Sequence, residues 1–104
     1  INFKALSKKT YTIIKKSLEK FVDEKITIKF PNDLLINGSK VCGILQERIT
    51  YNRSQYFIVG IGINLIKCPK IQNKQVSFLQ KYNNNKINKK DIYKKIKSNF
   101  ERFI

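Results

Sequence analysis

Apolar residues recur at Leu6, Ile14, Leu18, Phe21 and Val22, with Lys8, Lys9, Lys15, Lys16 and Lys20 between them. That spacing predicts an amphipathic helix over 6–22 with a charged outer face. The pattern then changes period. Residues 26–30 are β-branched and apolar, Pro31 stops them, and extended segments follow at 34–37, 40–48 and 56–64. Asn37-Gly38 is a strong hairpin signal, and Asn52-Arg53 suits a two-residue loop between the last two strands. After Asn64 the strand pattern ends: Cys68-Pro69 opens a loop, Val76 to Tyr82 suits a short helix, and Asn83 to Asn85 is a polar connector. Asn88, three positions before Asp91, is an N-cap signal for a second long helix whose stripe is Ile92, Ile96, Phe100 and Phe103. The expected fold is α/β (α+β): a mixed, mainly antiparallel sheet with helices packed on one face.

Side chains alternate across a strand, so Gly60 and Gly62 share one face while Val59, Ile61 and Ile63 share the other. Closing the hairpin at Asn52-Arg53 sets Gly43 opposite Gly62 and Leu45 opposite Gly60. One face is then bare over three neighbouring positions. Glycine weakens a strand interior, and close approach of a ligand or another backbone is a common reason for it. The opposite face, with Cys42, Ile44, Ile61 and Ile63, is expected under the helices. Lys29, Asn32, Asp33, Lys40 and Asn64 gather at the strand ends beside the glycines. Lysines supply charges for phosphate or carboxylate, and asparagines can read a base or ribose. Together they suggest a site for a nucleotide and a small carboxylate.

Composition limits the alternatives. The chain has 104 residues, enough for one domain, and contains no Met, which suggests part of a longer protein. Its 22 Lys and Arg against 7 Asp and Glu give a net charge of +15. The cations are almost all Lys and are spread along the chain among Asn and Ile, so the expectation is a solvated surface with no specific nucleic-acid partner. Any nucleic-acid binding should be weak and collapse with salt. Two cysteines without His form neither a zinc set nor a disulfide framework, and a reduced cytoplasmic setting is expected. No apolar run approaches a membrane span, so no membrane association is expected.

At these residues the chain resembles the catalytic domain of biotin protein ligases. Lys29-Phe30-Pro31-Asn32-Asp33 is similar to the family's Lys-Trp-Pro-Asn-Asp, Lys40 to Leu45 to its Lys-x-x-Gly-Ile-Leu, and Gly60 to Asn64 to its Gly-x-Gly-Ile-Asn. Order and spacing also agree, and a looser similarity runs from Leu6 through the C-terminal helix. The resemblance implies a class II synthetase-like biotin/lipoate ligase fold over residues 1–104. It implies ATP-dependent conversion of biotin to biotinyl-5′-adenylate, with Mg²⁺ accompanying ATP, and transfer to a lysine of a biotin carboxyl carrier protein of acetyl-CoA carboxylase. Lys40 would be catalytic and bind biotin together with Gly43, Leu45, Gly60 and Gly62, while Lys29, Asn32, Asp33 and Asn64 would serve the nucleotide.

Two features depart from the family. The arginine- and glycine-rich adenylate loop and the segment that grips biotin precede the first helix in the family, and the small C-terminal β-domain follows the catalytic domain; none of these is in the chain. It therefore reads as a partial catalytic domain, inactive alone, with a separate N-terminal segment or a second copy as completing partner. Strict alternation also points Lys40 away from the glycine face, so a bulge or bend near Ser39 is required for it to reach a ligand. Competing readings are a lipoate protein ligase, a basic nucleic-acid-binding module and an inactive remnant.

Overall fold

The structure, a computed structural model, describes residues 2–72 and 74–103. Helix α1 spans Phe3–Glu19 and is followed by strands β1 (Thr27–Lys29), β2 (Asp33–Ile36), β3 (Ser39–Tyr51) and β4 (Ser54–Ile63). A 3₁₀ turn at Leu79–Tyr82 and helix α2 (Lys89–Phe103) complete the order. The strands form one sheet in sequence order, with every neighbouring pair antiparallel.

Helix α1 begins and ends three residues before the expected span. Its start is set by Asn2, whose side chain accepts a hydrogen bond from Ala5 N at 3.1 Å and satisfies an orphan donor. At its last residue, Glu19 Oε2 accepts from Ile26 N at 3.0 Å and closes the connection to the sheet. Helix α2 starts where expected, with Asn88 Oδ1 accepting from Lys90 N at 2.8 Å. Asn99 Nδ2 donates to Ser17 Oγ at 2.8 Å, joining the two helices. Of the expected helix over 76–82, only the 3₁₀ turn forms, because Val76 and Ser77 are engaged by the backbone of Lys40.

Strands β3 and β4 run further than the alternation suggested and close at Asn52 and Arg53, with φ of 49° and 67°. Two left-handed residues in a two-residue loop match the right-handed twist of the strands they join. The core lies on the helix side of the sheet, where Leu34, Ile36, Cys42 and Ile44 meet Ile14, Leu18, Ile26 and Leu79. Ile92, Ile96 and Phe100 pack against this core, while Phe103 is largely exposed with Lys9 Nζ 5.7 Å from its ring centroid. Further along the hairpin, Gln46 Nε2 donates to Ser7 O at 3.3 Å, and Phe3 stands beside both Phe57 and Arg48. These contacts dock the same face onto the start of α1. Among the described residues no helix lies on the other face of the sheet.

Candidate active site

The uncovered face is organised in cross-strand rows. Lys29 pairs with Asp33, Asp33 with Gly43, and Gly43 with Gly62, so one row runs from charged side chains to bare backbone. In the adjacent row Leu45 pairs with Gly60. This is the register expected from the position of the turn. Gly60 and Gly62 are exposed and Gly43 is half-buried, so the glycines are not under α1.

Lys40 reaches this face because β3 contains a bulge. Leu34 pairs with Cys42 but Leu35 pairs with Lys40, which leaves Val41 as the extra residue. Val41 and Cys42 are both buried, and the alternation restarts one residue out of step. An irregular neighbour accompanies the bulge: Lys40 N donates to Gln75 O at 3.1 Å, and Ser77 N donates to Lys40 O at 2.8 Å. This isolated bridge to Val76 is the parallel contact in an otherwise antiparallel sheet. Lys40 Nζ then lies 3.0 Å from Asp33 Oδ1. Both side chains remain partly open to water, so the pair contributes less than about 1 kcal/mol to stability and is better regarded as positioning a charge.

Two shallow recesses adjoin on this face. Lys29, Asp33 and Lys40 line one of about 360 Å³, together with Lys74 and Gln75. Asn32, Gly43, Leu45, Gly60 and Gly62 line the other. Lys74 and Gln75 carry no periodic signal in the sequence, because they lie in an aperiodic loop brought here by the Lys40 bridge. Asn32 fastens backbone as well as facing the recess. Its carbonyl accepts from Ile44 N at 2.7 Å, and with its amide nitrogen turned inward the side chain donates to Ile44 O at 3.3 Å and Pro31 O at 3.0 Å.

Asn64 lies apart from both recesses. Its N–H donates to Val41 O at 2.9 Å, its side chain donates to Ser77 O at 3.1 Å, and its carbonyl accepts from Leu79 N at 2.9 Å. It ties the end of β4 to the bulge and the 3₁₀ turn. Asn64 also borders a larger recess of about 840 Å³ on the other side, between β4 and α2. That lining is mostly Ile, Leu and Tyr93 with lysines at its rim, and has no carboxylate. Charge-handling chemistry is therefore better served by the open face, where ammonium, carboxylate and bare backbone meet.

Cys42 lies beneath this row with its thiol pushed up from 9.0 to about 12, chiefly by burial; nearby Lys40 opposes the shift and Asp33 adds to it. At neutral pH it is a protonated core residue and not a nucleophile. Among the described residues there is no group of three His, Cys, Asp or Glu able to hold a metal, and Asp33 is engaged by Lys40.

A helix-backed sheet with a lysine and glycines on its free face defines the class of fold, and comparison with known proteins defines the family. The pattern of the biotin/lipoate A/B protein ligase family matches residues 3–64, more than half of the chain, and the chain belongs to that family. It is similar to the bifunctional ligase/repressor BirA of Bacillus subtilis, with 51% identity over 43 residues, covering 40% of this chain and 13% of that protein. It is similar also to the biotin–[acetyl-CoA-carboxylase] ligase of Paracoccus denitrificans, with 48% identity over 46 residues, covering 43% of this chain and 19% of the relative. Among solved structures, the biotin protein ligase of Aquifex aeolicus in complex with biotin and ATP superposes with a TM-score of 0.64 and 25% identity, over 90% of this chain and 41% of that one. P. falciparum LipL1 in complex with lipoate shares the fold, with a TM-score of 0.69 and 18% identity, over 93% of this chain and 31% of that one. The match thus spans less than half the length of each of these proteins.

Proposed function

We propose that this chain carries the lysine and glycine floor of a biotin protein ligase site. The supporting observation is Lys40 Nζ, paired with Asp33 at 3.0 Å on the same face as Gly43, Gly60 and Gly62. The bicyclic body of biotin would lie over Leu45, Gly60 and Gly62, with its carboxylate toward Lys40. In the first step a carboxylate oxygen attacks the α-phosphorus of ATP, forming the acyl–phosphate bond of biotinyl-5′-adenylate and expelling pyrophosphate. In the second, the ε-amine of a lysine on a biotin carboxyl carrier protein attacks the acyl carbon, losing a proton and releasing AMP. Lys40 stabilises the negative charge that develops at the carboxylate and phosphate oxygens. Lys29, Asn32 and Asp33 form the nucleotide side, and Lys74 adds a further cation there, while Asn64 acts only as a fastener of the strand end.

Mg²⁺ would arrive on the phosphates of ATP, and no step is assigned to it. Both cysteines are free thiols, which suits a reduced cytoplasmic setting. A lipoyl-transferring reading is the alternative, favoured by the likeness to LipL1. Pro31, Ile44-Leu45 and the Gly60 to Asn64 run favour biotin. The deciding experiment compares biotin-dependent with lipoate-dependent ATP–pyrophosphate exchange, using the chain together with whatever segment or second copy completes the site. Biotin-dependent exchange that disappears in Lys40→Ala supports the reading; exchange driven by lipoate alone, or exchange indifferent to Lys40, refutes it.

A further inference from the structure

The three glycines of the open face do not have the same surroundings. A Cβ at Gly60 would come no closer than 3.8 Å to another atom, and at Gly62 no closer than 3.9 Å, in both cases ordinary contacts. A Cβ at Gly43 would lie 3.3 Å from Lys40 Nζ and 3.4 Å from Lys40 Cε. The space left by the missing side chain at Gly43 is thus already filled, by the end of the lysine from the same strand.

We propose that Gly43 and Asp33 are positioning residues for Lys40: the glycine is the trough in which the lysine side chain lies, and the carboxylate is the stop against which its ammonium rests. The inference rests on the ligase reading for its consequence in binding, but not for the pose itself. The bulge at Val41 brings Lys40 onto the glycine face, and the trough then directs the side chain along the row from Gly43 toward Asp33. Gly60 and Gly62 have no such occupant and leave backbone bare for a ligand. A larger residue at 43 would therefore act by moving Lys40, whereas one at 60 or 62 would act by displacing ligand. The atoms that yield at position 43 are the far end of a flexible side chain, so the fold tolerates alanine there.

Two measurements test this. In the ligand-free chain, a nuclear Overhauser cross-peak is expected between Lys40 Hε and Gly43 Hα, weakened in Asp33→Asn, which removes the charge without adding heavy atoms. Its absence from the unmodified chain, under conditions where the sheet cross-peaks are intact, overturns the proposal. The second measurement is the affinity for a non-hydrolysable biotinyl-adenylate analogue in a double-variant cycle. Lys40→Ala is expected to weaken binding at least tenfold, Gly43→Val to weaken it by a similar factor, and the double variant to bind no worse than Lys40→Ala alone. Gly60→Ala should instead multiply with Lys40→Ala. Full additivity of Gly43→Val with Lys40→Ala contradicts the trough. The affinities are measured on the site completed as for the exchange assay; if that assembly binds no analogue, the ligase reading fails at that point and the cross-peak alone decides the pose.

Discussion

Along β3, Ile44 turns to the helices and is 2% exposed, while the next residue, Leu45, turns to the open side and is 60% exposed. The same contrast continues across the hairpin, where Ile61 and Ile63 pack against the core and Gly60 and Gly62 face outward. Both faces are built from the same two strands, so backbone geometry cannot distinguish them; the difference lies in what each side chain meets. The helix face gains free energy by removing apolar surface from water. The open face forgoes that gain in exchange for access, with small or charged residues where a core would place large ones. Substitutions on the first face should therefore register as stability and those on the second as binding or rate.

The largest effect expected is on catalysis, because it depends on all of the open face at once. With Leu45, Gly60 and Gly62 open to water, the isolated chain should show little or no biotin-dependent ATP–pyrophosphate exchange, since charge stabilisation by Lys40 is weak in a high-dielectric setting. In a completed site, Lys40→Ala should reduce exchange by about a hundredfold or more, in the range measured for removing one donor to a developing charge. Robust exchange by the 104 residues alone would erase the contrast between an accessible face and a competent one.

Next is a paired test of stability. Ile44→Ala should cost about 2–5 kcal/mol in urea unfolding, as expected for a large-to-small change in a core. Leu45→Ala, one residue along, should stay within about 0.5 kcal/mol. Equal losses would mean that Leu45 is covered in solution.

Gly62→Ala sharpens the comparison further. Its new Cβ meets only ordinary contacts, so the fold should gain about 0.5–1 kcal/mol from the reduced backbone freedom of the unfolded chain while affinity for biotin falls. A destabilised but still binding variant would contradict the assignment of this glycine to the ligand.

The smallest effect concerns the two thiols. Iodoacetamide at pH 8 should modify half-buried Cys68 in the native chain and reach Cys42 only on unfolding. Because the Cys42 thiol is raised, its contribution to stability is complete below the ordinary thiol value of 9.0 and is lost as the pH climbs toward about 12. Over that window the unfolded chain ionises while the folded one holds its proton. Cys42→Ser should flatten that alkaline decline in thermal unfolding, and an unchanged decline would place its origin elsewhere.

Much of the open face could be read from residues alone, because strand alternation and a two-residue turn are short-range rules. Asn52-Arg53 determined that Gly43 faces Gly62 and Leu45 faces Gly60, and the alternation of Ile61 and Ile63 with glycine determined which side the helices cover. Alternation also required a bulge before Lys40 could reach that face and suggested it near Ser39, whereas it lies two residues further on at Val41. The tertiary structure decided this: the loop after Asn64 returns to bridge Lys40 at Val76, Asn64 binds Val41 and Ser77, and Val41 is the residue left over. The same return brings Lys74 and Gln75 beside Lys29 and Asp33 and turns Asn64 inward as a fastener. Periodicity reports which way a side chain points within one regular element. The path of an aperiodic loop depends on hydrogen bonds between residues far apart in the chain, and those exist only once the sheet has formed.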